Sequence, residues 1–175
     1  MPHLNIEVKA RCQDQDRIRN YLLGQGAEFR GLDRQVDTYF RVNRGRLKLR
    51  EGRIENNLIQ YERADLEGPK SSHFRLVNVA DAHGLKAALT AALGVLVVVD
   101  KSREIYYIGN VKFHLDRVEG LGTFVEIEAG NLLADLGAGE LRQQCDHYLS
   151  AFNVQPADLV SVSYSDLLLD MLGGN

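Results

Sequence analysis

The sequence predicts an α+β fold, an eight-stranded antiparallel closed β-barrel with helices packed outside, formed by a single domain over residues 1–175. Three observations predict it. Eight stretches read as strands, several with polar and apolar residues in alternation. Several of the turns between them are too short to hold a crossover helix, which argues against a parallel, doubly wound sheet. An antiparallel sheet of about eight strands closes readily into a barrel whose interior takes side chains or one small ligand.

Taken in order, Leu4–Cys12 opens as a strand, because every odd position of Asn5-Ile6-Glu7-Val8-Lys9-Ala10-Arg11 is polar and every even one apolar. Successive side chains of an extended chain point to opposite faces, so charge falls on one side and packing on the other. Asp14–Gly26 carries Ile18, Tyr21, Leu22 and Leu23 at helical spacing between an acidic start and a glycine stop. Strands Asp37–Val42 and Arg46–Glu51 follow, joined by Asn43-Arg44-Gly45, and then Leu58–Ala64. Polar Glu67–Ser72 reads as a loop before strand His73–Val79, and Asp81–Gly94 as a second helix through Leu85, Ala88, Leu89, Ala92 and Leu93. Val95–Ile108, Val111–Val118 and Thr123–Ala129 form a meander that turns at Gly109-Asn110 and Gly120-Leu121-Gly122. Gly139–Phe152 is the third helix, and a fourth starts at Pro156, which suits a first helical turn, and continues to Leu172.

The net charge of -3 is unremarkable, but Arg41, Arg44, Arg46, Lys48, Arg50 and Arg53 crowd one segment. The overall balance argues against nucleic acid as a partner, while a local basic surface in a mildly acidic protein suits a compact polyanion. The longest apolar run, Val95–Val99, is far too short to cross a bilayer, and no basic segment precedes an apolar leader. A cytoplasmic protein with no membrane partner is expected, and an exposed helix face allows a homodimer. Cys12 and Cys145 have no CxxC partner and read as reduced packing residues.

The polar faces agree from strand to strand. Arg46, Lys48 and Arg50 share one face, as do Tyr61 and Arg63, Lys101 and Arg103, Lys112, His114 and Asp116, and Glu126 and Glu128. A solvated face would mix in Ser, Thr, Asn and Gln. If the apolar faces pack outward against helices, these charges line the barrel, where they need partners or ligands. Hard cations such as Mg²⁺ or Mn²⁺ take carboxylate oxygens, and Arg and Lys hold phosphate oxygens. Glu7, Asp116, Glu126 and Glu128 could therefore hold metal. Lys9, Lys48, Arg50, Arg63, Lys101, Arg103 and Lys112 could hold a chain of phosphates. The alternative is that the two sets neutralise one another as cross-strand ion pairs. No P-loop and no GxGxxG follows a strand.

These residues, taken as an ordered set, resemble the CYTH, or triphosphate tunnel metalloenzyme, family. The resemblance is carried by Ile6-Glu7-Val8-Lys9, Gln35 to Phe40, Gly45 to Glu51, Tyr61-Glu62-Arg63, Gly68 to Ser71, Lys101-Ser102-Arg103, and His114-Leu115-Asp116 with Glu126-Ile127-Glu128. Ser163 to Asp166 is similar to the family's C-terminal helix, and the wording lies closest to the class IV adenylyl cyclase-like branch. The resemblance implies a tunnel that binds a triphosphate with Mg²⁺ or Mn²⁺. It implies metal-facing Glu7, Asp116, Glu126 and Glu128, and phosphate-binding Lys9, Lys48, Arg50, Arg63, Lys101 and Arg103; Lys112 joins them by strand parity alone. Asn5 departs from the usual ExExK opening and brings no charge to the metal.

Two chemistries then share one site. As a cyclase the protein would convert ATP to cyclic AMP and pyrophosphate; as a triphosphatase it would hydrolyse tripolyphosphate, thiamine triphosphate or a nucleoside triphosphate. A non-catalytic polyphosphate- or nucleotide-binding module is the reading of a third kind. Lys9 and Tyr39 are the catalytic candidates, since a phenol among cations can act as a proton acceptor, although Tyr39 could equally pack beside Phe40. His114 either tunes Asp116 or is a hydrogen-bonded barrel histidine. Recognition of whatever the phosphates carry is expected at the tunnel mouth, in loops such as Gly68–Ser72.

Overall fold

The structure, a computed structural model, describes residues 3–63 and 66–173, with the Arg63 side chain outside the described residues. The alternation read from the sequence folds as a cylinder. Strands β1 (His3–Arg11), β2 (Glu28–Phe40), β3 (Arg46–Glu51), β4 (Asn57–Arg63), β5 (Lys70–Asn78), β6 (Val95–Ile108), β7 (Val111–Val118) and β8 (Gly122–Gly130) close in the order β1-β5-β4-β3-β2-β6-β7-β8. Every neighbouring pair is antiparallel, including the closing pair β1 and β8. The hairpin into β3 needs a glycine. Gly45 has φ +61° and a Cβ there would stand 2.5 Å from the Tyr61 carbonyl oxygen.

Outward-facing apolar residues make the main core. Ile6, Val8 and Ala10 of β1, Val111, Phe113 and Leu115 of β7, and Val125, Ile127 and Ala129 of β8 are all at most 3 % exposed. They pack beneath helices α1 (Gln15–Gly24) and α3 (Ala138–Ala151), which contribute Ile18, Leu22, Leu141 and Cys145. Phe113 meets Tyr148 edge-on with ring centroids 4.7 Å apart. Because one face of each of these strands is buried against helices, the other face has to look into the lumen. Helix α2 (Ala82–Leu93), capped by Asp81, buries none of its residues and stays at the periphery. Among the described residues, no helix is long and apolar enough to cross a membrane.

Three elements differ from the sequence reading by more than two residues. β2 starts at Glu28 rather than Asp37 and stops at Phe40 rather than Val42. Its first residues, Glu28–Arg30, are exposed and pair only with β6, so no buried face imposes alternation on them. β5 starts at Lys70, so Lys70–Ser72 are strand rather than loop, with Glu7 opposite Lys70. The predicted helix from Pro156 to Leu172 is split into a 3₁₀ turn at Pro156–Asp158, an extended stretch and α4 (Tyr164–Met171). Here β1 outruns β5, and the extended stretch takes the vacated edge: Val160 N–H donates to the Lys9 carbonyl and Leu159 bridges Ala10. Ser163 then caps α4, its Oγ accepting from the Asp166 N–H while the Asp166 carboxylate accepts from the Ser163 N–H.

Candidate active site

The inward faces enclose a cavity of about 350 Å³. Its two ends differ. Where β7 ends and β8 begins, α4 lies across the barrel, and Tyr164 (5 % exposed) packs with Phe124, Val118, Val97 and Val99 as a second apolar cluster. At the other end the lining is open, with Leu76, Leu132 and Leu133 at 44, 56 and 70 % exposure beside Asn5, Asn57 and Tyr107. The lumen is therefore blind at α4 and has an open mouth with a neutral, partly apolar rim.

Buried carboxylates set the cations in place. Asp37 of β2 lies opposite Arg50 of β3 and takes both its Nε (2.9 Å) and an Nη (2.8 Å). Lys101 Nζ reaches the same carboxylate at 2.7 Å and Lys48 Nζ at 3.4 Å. Burial alone would raise the Asp37 pKa, but Arg50, Lys101 and Lys48 together hold it well below the usual carboxylate range. Asp116 does the same for Arg103 opposite it on β6, with two contacts of 2.7 Å, and also accepts the Tyr164 hydroxyl at 2.7 Å. Both pairs are bidentate, which fixes each guanidinium as well as its charge.

The acidic wall is built by β1 and β8. Glu7 stands opposite Glu128, and Lys9 opposite Glu126. Glu126 lies 3.4 Å from an Arg103 Nη, 4.0 Å from Lys9 Nζ and 3.3 Å from His114 Nδ1. Burial raises its pKa, but Arg103, the His114 hydrogen bond and Lys9 outweigh that and hold it well below the usual range. Glu128 goes the other way: burial, and then the like charges of Glu7 and Glu126 against the pull of Lys112, push it up to about 7. His114, held at about 4 by burial and the nearby Arg103, is a neutral ring whose Nδ1 faces Glu126 rather than Asp116.

Of the residues singled out from sequence, Glu7, Lys9, Tyr39, Lys48, Arg50, Lys101, Arg103, Lys112, Glu126 and Glu128 all line the cavity. Asp116 does not; it sits behind Arg103 with 0 % exposure. The Arg63 side chain lies outside the described residues. Tyr39 is at the α4 end, its hydroxyl 3.4 Å from that of Tyr61 and 3.5 Å from Lys48 Nζ, away from the Glu7–Glu128 pair. Lys9 Nζ donates to the Val162 carbonyl at 3.2 Å and lies 4.1 Å over the Tyr164 ring. The Gly68–Ser72 segment is not a loop at the open mouth: Lys70 Nζ is turned to the Leu66 and Ser161 carbonyls toward α4, while Ser72, within β5 and opposite Asn5, lines the cavity.

Sequence reasoning missed Glu55, which lines the lumen from the β3–β4 loop, where no strand parity applies. It also gave no role to Asp37 or Tyr164. Asp37 carried the signal, because it shares a face with Tyr39 within the same motif.

Burial, together with Arg50, Arg103 and Lys48 and against the attraction of Asp37, pushes Lys101 down to about 7. A polyphosphate beside it favours the charged ammonium, so above pH 7 binding must draw in a proton. Near pH 8.5, where the terminal phosphate of ATP is already ionised, calorimetry in buffers of different ionisation enthalpy should show net proton uptake on ATP binding. The uptake should fade below pH 6 and be clearly smaller in Lys101→Met, where Glu128 remains as the other lumen group that titrates at about 7.

A closed antiparallel barrel, blind at one end and lined by opposed carboxylates and cations, defines the class of triphosphate-tunnel folds. The CYTH domain model matches residues 3–144, and the chain belongs to that family. It is 26% identical over 169 residues to adenylate cyclase CyaB of Aeromonas hydrophila, covering 93% of this chain and 87% of that one. Among solved structures, PH1012 of Pyrococcus horikoshii is 26% identical with a TM-score of 0.78, over 93% of this chain and 98% of that one. HpAC1 from Hippeastrum, a candidate adenylyl cyclase with a dominant triphosphatase activity, shares the fold at 12% identity and a TM-score of 0.64, over 99% of this chain and 97% of that one.

Proposed function

We propose that the protein is a metal-dependent enzyme acting on a triphosphate, most like a class IV adenylyl cyclase that converts ATP to cyclic AMP and pyrophosphate. The observation that carries this is the facing of two walls inside one blind tunnel: Glu7, Glu126 and Glu128 on β1 and β8, against Lys48, Arg50, Lys101 and Arg103 on β3 and β6.

The donor set suits a hard divalent cation. Among the described residues, no three carboxylate, histidine or cysteine side chains already form a coordination cage. That matches Mg²⁺, which is held by one or two carboxylates, waters and substrate phosphates rather than by an all-protein cage. Burial raises the Glu128 pKa first, and the like charges of Glu7 and Glu126 add a repulsion that a divalent cation would relieve. Glu7, Glu126 and Glu128 would hold the ion, which would neutralise charge on the phosphoryl oxygens.

The lumen's polarity supports the orientation. The neutral rim of Leu76, Leu132, Tyr107 and Asn57 suits an organic group, so the terminal phosphates would lie toward α4. Lys9, Lys48 and Lys101 would then stabilise the charge that develops on departing pyrophosphate, and Arg103 would bridge it to the reacting centre. Tyr39, at that same end, would donate its hydroxyl to the leaving group rather than take the proton of the attacking 3′-hydroxyl. That placement also gives the triphosphatase reading its support, since a hydroxyl flanked by Lys48 would sit beside the terminal phosphorus.

Purified protein incubated with Mg²⁺ or Mn²⁺ and, separately, ATP, tripolyphosphate and thiamine triphosphate separates the readings. Cyclic AMP with pyrophosphate is the expected product from ATP. Inorganic phosphate as the main product assigns the triphosphatase, and tight binding without product leaves only a binding module.

A further inference from the structure

Arg50 belongs to β3 and Lys112 to β7, with β2 and β6 between them in the barrel. A group that touches both lies across the lumen. Glu55 does so: its Oε1 is 3.3 Å from an Arg50 Nη, its Oε2 is 2.5 Å from Lys112 Nζ, and Gln35 Nε2 donates to Oε1 at 2.8 Å. The carboxylate comes from a loop held rigidly outside the strands. Asp33, with 0 % exposure, accepts the Arg53, Ile54 and Glu55 N–H groups at 2.7, 3.1 and 3.1 Å. Gly52 makes room for this clasp, because a Cβ there would stand 2.5 Å from Asp33 Oδ2.

The other carboxylates in and behind the lumen wall have other accounts. Asp37 and Asp116 brace the arginines from behind, and Glu7, Glu126 and Glu128 form the acidic wall. Glu55 stands between cations of β3 and β7, one carboxylate oxygen on each, engaged as phosphate oxygens would be. If it stayed there, a triphosphate could not contact Arg50 and Lys112 together. We propose that Glu55 is an internal counter-anion that occupies a phosphate position of the tunnel and is displaced by the entering triphosphate, and so sets the enzyme's affinity for substrate. The clasped backbone leaves the displacement to the side chain. This inference rests on the proposed function, since it takes the lumen to be the triphosphate site.

The test is calorimetric binding of tripolyphosphate in EDTA, where neither metal nor turnover intervenes. Glu55→Gln keeps the volume and removes the competing charge, so it should bind about tenfold more tightly or better, a gain that shrinks as salt rises. Glu55→Asp, too short to reach both cations, should fall between. Because the Gln variant removes a counter-charge that Arg50 shares with Asp37 and Lys112 with Glu128, its unfolding temperature should drop in the free protein and rise more on adding tripolyphosphate than that of the wild type. Equal or weaker binding by Glu55→Gln, with wild-type binding intact, overturns the Glu55 assignment alone. A loss of Mn²⁺ affinity in Glu55→Gln, measured without phosphate, overturns it in favour of a metal ligand. Failure of the wild type to bind tripolyphosphate removes the triphosphate site itself, and the counter-anion with it.

Discussion

Glu126→Gln and Glu128→Gln are each expected to lower turnover by at least about 10²-fold while the barrel stays folded, because both remove charge from the wall that would hold the metal. Their stabilities should differ. Glu128 carries a carboxyl group pushed up to about 7 by burial and by Glu7 and Glu126, so neutralising it removes a repulsion and should leave the unfolding free energy unchanged or raised. Glu126 is the partner of Arg103, Lys9 and His114, so its amide variant should cost about 1–3 kcal/mol. Chemical denaturation beside product assays reads both quantities. Near-normal turnover in both variants would end the assignment of β8 as the metal wall.

Arg103→Met is expected to fail twice over. The sequence reading expects this arginine chiefly to hold phosphate, and it lines the cavity. The structure adds that Arg103 is the bidentate partner of a carboxylate with 0 % exposure. Removing one member of a buried ion pair leaves the other uncompensated, at a cost of about 3–5 kcal/mol, which is a large share of a small domain's stability. The double variant Arg103→Met/Asp116→Leu should recover most of that loss, since a buried pair replaced by apolar groups is often near neutral. It should not recover substrate affinity, and KM should remain raised by about tenfold or more. Full recovery of binding in the double variant would show that Arg103 serves the fold alone.

Strand parity made most of this legible in the sequence. β1, β3, β7 and β8 carry a charged face and an apolar face because helices or α4-end residues cover one side and the lumen takes the other, and period-two alternation reports that division. Parity could not say which charge meets which. Glu126 and Asp116 look alike in sequence, yet one borders the cavity and the other is spent on Arg103 and Tyr164. Where no face is buried, as in Glu28–Arg30, the alternation disappears and the strand was not readable. Glu55 was hidden for a different reason: it reaches the lumen from a loop whose shape depends on Asp33, more than twenty positions earlier in the chain. The break before α4 had a local signal in Ser163 with Asp166, a capping box that the helical spacing around it obscured.

Metal and triphosphate are expected to meet inside the barrel, and Mn²⁺ anomalous diffraction from crystals grown with a non-hydrolysable ATP analogue shows whether they do. Mn²⁺ density is expected against Glu7, Glu126 or Glu128, with the phosphate chain running toward Lys101 and Lys48 and the base at the rim of Leu76 and Leu132. Mn²⁺ and phosphate bound on the outer surface, with the lumen still spanned by Glu55 between Arg50 and Lys112, would contradict it.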